Sequence, residues 1–417
     1  MSTITAVAGA RRLIGLGAAR GLASLLSFLG VMLVARLLDP AELGLWSIAL
    51  AAQGYALHLA EFGLRSVATT ELAAARGGWA ALVRHYLATR FLLSMVALSF
   101  TLAATAALAP ESFHLVALTT LAIFPIALQV DWIALVDDRL WLAALPLVVR
   151  PLAFALLLLA LPAPASPEHV AACYLVAWCL AAAVSWPAVQ RPSVPPQEGA
   201  SLPRTERLLA RGAPLMLVTL TNQAQLSADL LVVGWALGAA EAGDYYLASQ
   251  IAVAALLFAN AANQVALARL PALAERPEAF AAELRADVGR LLRAALFLAL
   301  LLAALAPPLL PRVLGDEHAG AVAALLWLLP WLVLQHLSHL FQGALTAAKR
   351  ERAVLRGNLV LLLVLLAALP LAMGAQTLAA FALARTVAEA ARLAALALTL
   401  ARTGLLRRER APAPLEA

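Results

Sequence analysis

The feature that most limits the fold of this chain is a series of twelve apolar runs, each about as long as a bilayer is thick. Their approximate limits are 14–36, 43–70, 87–108, 113–135, 140–161, 169–189, 208–233, 244–268, 288–309, 320–346, 353–373 and 376–401. A hydrocarbon core about 30 Å deep is crossed by about 20 helical residues. Backbone groups there find no water, so such runs must close their own hydrogen bonds as helices. Composition agrees. Hydrophobic residues make up 63% and charged residues 13%, against about 25% charged in a soluble domain, and no polar stretch is long enough to fold alone. The fold class is all-α, a polytopic membrane protein of about twelve transmembrane helices. Asp39-Pro40, Ala109-Pro110, Pro307-Pro308 and Pro370 punctuate the turns.

One of those turns occurs twice. LLDPAELGLW at 37–46 reads as the short outer turn of a helical hairpin, and ALGAAEAGDY follows it at 236–245. At an offset of 199 positions Leu38, Ala41, Glu42 and Gly44 meet Leu237, Ala240, Glu241 and Gly243, and Trp46 meets Tyr245. The chain therefore reads as one unit written twice. Residues 1–190 form an N-terminal six-helix bundle and 191–207 a cytoplasmic linker with Pro192, Pro195, Pro196 and Pro203. Residues 208–402 form a C-terminal six-helix bundle and 403–417 a short cytoplasmic tail. A parallel duplication relates the bundles by a pseudo-two-fold axis along the membrane normal, with a substrate path between them. The stretch 277–293 is amphipathic and is expected on the cytoplasmic surface.

Thirty basic residues outweigh twenty-four acidic ones, and all but Lys349 are arginine. Taking the N-terminus and the even-numbered loops as one side collects nearly all of them, leaving Arg36 and Arg312 opposite. By the positive-inside rule both termini are cytoplasmic. The excess then suits anionic headgroups of membrane lipids, not nucleic acid. Arg11 and Arg12 precede the first apolar run without a small-residue cleavage site, so that run is expected to be retained. Cys173 and Cys179 lie six apart on one helix and should stay free thiols.

Arginines at span ends, Arg90 of span three among them, are assigned to the loops; five more remain in the membrane, each costing at least about 2.5–3.5 kcal/mol at the bilayer centre. Arg20 shares a face with Ser24 and Ser27 and lies about two turns, roughly 9 Å, from the inner end, within snorkelling reach. His58, Glu61 and Arg65 form one stripe on span two, where Glu61 can neutralise Arg65. Arg150 stands between Pro146 and Pro151, whose freed backbone groups are tolerated where they line a cavity. Arg385, Glu389 and Arg392 share a face of span twelve, so one arginine is left over unless another helix supplies a partner. Asp131 is placed near the inner end of span four, at the interface. Five cations against Glu61 and Glu389 describe a cavity that prefers an anion, and guanidinium pairs especially well with phosphate.

The second half is softer. Thr219, Asn222, Gln225 and Asp229 make a stripe on span seven; Asn260, Asn263 and Gln264 lie on span eight; Gln335, His339, Gln342 and Thr346 align on span ten with His336 beside them. Interhelical hydrogen bonding accounts for the amides. Asp229 is the first candidate for binding a coupling proton or Na+, with Glu389 the second. His336 and His339 have metal-like spacing but no carboxylate or cysteine beside them, so no metal is expected. GxxxxGK[ST], GxSxG, HExxH and CxxC are all absent from the sequence, and no cofactor or catalytic role is expected.

The segments ARLLDPAELGLWSIA (35–49), LAEFGLRSVATTELA (59–73) and ADLLVVGWALGAAEAGDYYLA (228–248) resemble polysaccharide flippases of the O-antigen and capsule type. These belong to the multidrug/oligosaccharidyl-lipid/polysaccharide exporter superfamily, and the resemblance covers nearly the whole chain. It implies two six-helix bundles facing each other in a V, alternating access, and a substrate of undecaprenyl pyrophosphate carrying an oligosaccharide. Substrate would then be held by Arg20, Arg65, Arg150, Arg385, Arg392, Glu61, Asn222, Gln335 and His339. Polysaccharide polymerase and glycosyltransferases would be partners. Asp229 matches the family's acid at the end of span seven, while Arg65 stands where a small or polar residue is usual. The two extra spans of lipid II flippases are lacking. Two other functions fit less well. A cation-coupled multidrug antiporter of the same architecture would want an acidic lining, and a membrane polymerase would need a sizeable polar outer loop.

Overall fold

The computed structural model describes residues 2–74, 79–190, 204–273 and 276–402, with side chains except at 2–14, 74, 79, 190, 258–268, 271–272 and 277. Among these residues all regular structure is helical. The first five spans are α1 (Ser2–Leu37), α2 (Pro40–Glu61) continued by α3 (Leu64–Ala74), α4 (Trp79–Leu108), the run α5 (Phe113–Thr120), α6 (Ile123–Ala127) and α7 (Asp131–Val136), and α8 (Leu140–Leu159). Then come α9 (Pro167–Ser185), α10 (Thr205–Ala236), α11 (Ala239–Leu273), α12 (Pro277–Leu314), α13 (Ala319–Ala347), α14 (Glu351–Ala375) and α15 (Leu378–Arg402). Taking α2 with α3, and α5 to α7, as one span each gives the twelve read from the sequence. Among the described residues nine spans are apolar enough to cross a membrane by composition alone. The remaining three, α10, α11 and α15, are 32, 35 and 25 residues long. At 1.5 Å per residue each exceeds the roughly 30 Å core. Large apolar side chains such as Leu92, Val96 and Phe100 of α4 stay 60–65% exposed, as a lipid-facing surface requires.

Two spans are broken where the sequence reads as continuous. Span two stops at Phe62 (φ 47°) and Gly63 (φ 67°), both left-handed. A Cβ on Gly63 would lie 2.6 Å from Leu215 Cβ and 2.7 Å from the Gly212 carbonyl oxygen, so both the dihedral and the close approach to α10 demand glycine. Span four breaks between α5 and α6 and again at residues 128–130. Pro125 inside α6 has no N–H to return to the preceding turn.

The duplicated turn is built from a complete N-cap. The Asp39 carboxylate accepts from the Glu42 N–H at 2.8 Å, and the Glu42 side chain accepts from the Asp39 N–H at 3.2 Å, with Pro40 in the first helical turn. In the second copy Gly238 turns the chain instead, at φ 117°. The two copies touch. A Cβ on Gly44 would run into the carbonyl oxygen of Ala239, and one on Gly243 into that of Pro40. Residues 40 and 239, like 44 and 243, are equivalent at the 199-residue offset, so the contact is locally two-fold. Trp46 and Tyr245 are buried just below it.

The chain forms two compact units, Met1–Tyr246 and Leu247–Ala417, and their division falls within α11. Of the expected linker, 191–203 lies outside the described residues, as do the tail 403–417 and the side chains of Asn260, Asn263 and Gln264. In the second unit Phe280, Leu284, Leu340, Leu345, Leu396 and Leu400 share a core. The amphipathic stretch expected on the membrane surface is instead the first turns of α12. Phe280 and Leu284 point into that core, while Glu283, Asp287 and Arg290 pair with one another on the outside.

Candidate functional site

The breaks in spans two and four come together around four charges in the first unit. Arg65, at the start of α3, donates to Asp131 at 2.5 Å. Arg90, on α4 and 2% exposed, reaches Glu61 at 3.4 Å, the Gln129 carbonyl at 3.2 Å and the Ile126 carbonyl at 2.9 Å. The Ile126 carbonyl also accepts from the Gln129 N–H and the Gln129 carbonyl from the Trp132 indole, both at 3.2 Å, so the guanidinium is a second donor to each at the break between α6 and α7. Three readings of the sequence change. Glu61 pairs with Arg90, not Arg65. Asp131, expected at the interface, is buried in the helix packing and paired with Arg65. Arg90, assigned to an inner loop because it sits at the end of an apolar run, is inside the helix packing. The four charges sum to zero, so this stripe offers no surplus cation to a ligand.

Arg150 is placed differently. Its side chain on α8 donates to the Ser27 hydroxyl of α1 at 3.4 Å, and its guanidinium lies 4.6 Å from the centre of the Trp178 ring. Among the described residues it joins no ion pair. It borders a cavity of about 130 Å³ lined by α1, α2, α8 and α9 and by Tyr246 of α11. The lining contains no carboxylate. Trp46, Phe154 and Tyr174 form an aromatic wall, with ring centres 5.6–6.4 Å apart. Sequence reasoning found Arg150 but not this wall. Its only local trace is the i,i+4 spacing of Arg150 with Phe154 and of Tyr174 with Trp178. Arg20 is exposed on α1, and Ser27, expected on its face, belongs to Arg150.

Along α10 the expected polar stripe divides. Asn222 is exposed, whereas Asp229 is fully buried and accepts the Tyr245 hydroxyl at 2.7 Å. The hydrogen-bonding Tyr245 is the repeat partner of Trp46.

In the second unit Glu389 takes both the Nε and Nη2 of Arg392, at 2.9 and 2.7 Å. Arg392 also donates to Gln335 at 2.7 Å, and Gln335 meets His339 at 3.1 Å. The other Glu389 oxygen is buried with no hydrogen-bond partner among the described residues. Arg385, the other arginine of that face, lies 4.1 Å from the centre of the Trp331 ring on α13. His336 is bonded to the Leu332 carbonyl of its own helix at 2.8 Å. Cys173 and Cys179 are free thiols.

A family model described as polysaccharide biosynthesis protein matches residues 11–275. The chain belongs to the polysaccharide biosynthesis protein family. No curated protein matches significantly. Among solved structures, the lipid II flippase MurJ in an inward closed conformation is 13% identical, covers 93% of this chain and 87% of its own, and superposes with a TM-score of 0.73. An inward-facing multidrug resistance MATE transporter of the MOP superfamily is 15% identical over 91% of this chain and 95% of its own, with a TM-score of 0.68. A Vibrio cholerae MATE transporter, solved as a point mutant, is 14% identical over 95% of this chain and 98% of its own, with a TM-score of 0.58. At these identities the likeness establishes the fold. This member of the polysaccharide biosynthesis protein family is a multi-pass membrane protein with the fold of transporters and flippases.

Proposed function

We propose that the chain is a flippase that moves a lipid-linked oligosaccharide, joined to undecaprenyl through pyrophosphate, across the bacterial inner membrane. Both termini would be cytoplasmic, and transport would proceed by alternating access. Arg150 carries the reading. A cation held inside a membrane bundle costs several kcal/mol, and here no acid among the described residues offsets it. An anionic headgroup arriving in the cavity would do so through charge-assisted hydrogen bonds. Efflux of organic cations would need a carboxylate on that surface, and the lining holds none. The protein would work beside the glycosyltransferases that build the headgroup and the polymerase that extends it.

The test is Arg150→Ala in cells. Surface polysaccharide should fall to background while the protein remains in the membrane at the parental level. Normal polymer from that variant would remove the reading.

Asp229 and Glu389 are proposed to carry a coupling proton or Na+. Both are buried, and each offers a carboxylate within one helix bundle. In vesicles, flipping by the parent should accelerate under a proton or Na+ gradient, and Asp229→Asn should lose that acceleration. An unchanged gradient response would exclude Asp229 from coupling.

A further inference from the structure

We propose that the cavity beside Arg150 is a subsite for one acidic sugar ring, a uronate whose carboxylate meets the guanidinium while its face packs on the aromatic wall. It is not the seat of the pyrophosphate. The inference deepens the flippase reading and rests on it for the origin of the ligand.

Charge decides between the two anions. A pyrophosphate brings several acceptor oxygens and more than one charge, and sites for it gather several donors, usually arginines or the free N–H groups of a helix N-terminus. This cavity has one guanidinium. One of its nitrogens is directed to Ser27 and its plane lies over Trp178. The surrounding elements meet the cavity through their interiors, where backbone N–H groups are already bonded within the helix. A single carboxylate matches a single guanidinium in both charge and shape.

The rest of the lining suits a ring. Trp46, Phe154 and Tyr174 set their rings edge-on or offset to one another. The C–H groups on one face of a pyranose can pack on such negative π surfaces. The hydroxyl edge needs polar partners, and Ser27, Tyr174 and Tyr246 line the cavity. The Tyr174 hydroxyl donates to Gln53 at 3.4 Å and keeps its oxygen as an acceptor. Size sets the limit. About 130 Å³ is the share of roughly four waters at about 30 Å³ each, so the carboxylate and the adjoining edge of one ring can enter while the rest of that ring lies at the mouth, and a second ring cannot follow.

The experiment is thermal unfolding of the purified full chain in detergent, at matched ionic strength, with methyl β-glucuronide, methyl β-glucoside or inorganic pyrophosphate. Glucuronide should raise the midpoint in a saturable way, glucoside at least tenfold more weakly, and pyrophosphate not at all. Arg150→Gln should abolish the glucuronide shift. Ser27→Ala, a milder change, should weaken it severalfold and covers the case in which Arg150→Gln does not fold. Protection by pyrophosphate through Arg150 overturns the proposal. So do equal shifts from glucoside and glucuronide, a glucuronide shift that survives Arg150→Gln, or no shift with any of the three. The flippase reading fails separately. A protein that binds glucuronide through Arg150 yet moves no lipid-linked sugar keeps the subsite and loses the transport function.

Discussion

Replacing Arg90 by methionine should destabilise the first unit by about 3–5 kcal/mol, the usual cost of removing one partner from a buried ion pair. Glu61 loses its donor, while the carbonyls of Ile126 and Gln129 each lose one of two. The Gln129 N–H still reaches the Ile126 carbonyl and the Trp132 indole still reaches the Gln129 carbonyl, so the uncompensated Glu61 charge makes up the larger part of the cost. Pairing Arg90→Met with Glu61→Gln should therefore recover most of the loss, the remainder being the second hydrogen bond that each carbonyl has given up. Thermal unfolding of the two single variants and the double variant measures this as a coupling energy. Full recovery in the double variant would show that Arg90 acts on Glu61 alone. No loss in Arg90→Met would remove Arg90 from the break altogether.

The second large effect is expected at Gly44. Alanine in a helix is normally better than glycine by about 0.5–1 kcal/mol, so a naive expectation is stabilisation. Here the added methyl meets the carbonyl oxygen of Ala239, a backbone atom that no side-chain rotation can move. Overpacking costs about 1–3 kcal/mol, and net destabilisation should result. Shortening the neighbour cannot help: Ala239→Gly leaves the oxygen in place. Gly234→Ala provides the contrast. Its methyl would lie 2.7 Å from Ile48 Cδ1, the tip of a side chain, so Ile48→Val should relieve it. Unfolding midpoints of these four variants separate a backbone contact from a side-chain one. A stabilised Gly44→Ala would contradict the close approach.

The spans were legible in the sequence because lipid enforces a simple rule: a run of about 20 apolar residues must be helix. The breaks were not, because Phe62-Gly63 and Pro125 lie inside runs each long enough to be read as one helix, and the left-handed dihedrals at 62 and 63 appear only in the folded chain. Charge partners were legible only along a helix. Glu389 with Arg392 has i,i+3 spacing and was visible. Arg65 with Asp131 and Arg90 with Glu61 join residues 66 and 29 apart, and local spacing pointed instead to the wrong pair, Glu61 with Arg65. Arg150 stood out because two prolines flank it, whereas Trp46, Phe154 and Tyr174, from three helices, looked like ordinary apolar filling. Charge counting also misleads: it leaves Asp131 and Arg90 out of the sum, although both are buried in the same helix packing as Glu61 and Arg65.

The contact between the two hairpin turns bears on how a chain of this kind can arise. A pairing in which residue 40 of one copy faces 243 of the other, while 239 faces 44, is isologous, the kind two identical subunits make across a dyad. Nothing in it requires the copies to differ. A half-length ancestor could have formed the same knuckle as a homodimer, and fusion of two genes would have fixed it within one polypeptide. Each half could then acquire its own chemistry while the joint stayed the same. The present chain has that pattern: glycine at 44 and at 243, but Asp39 in one turn and Gly238 in the other, and a tyrosine bound to Asp229 where the first copy carries a tryptophan in an aromatic wall.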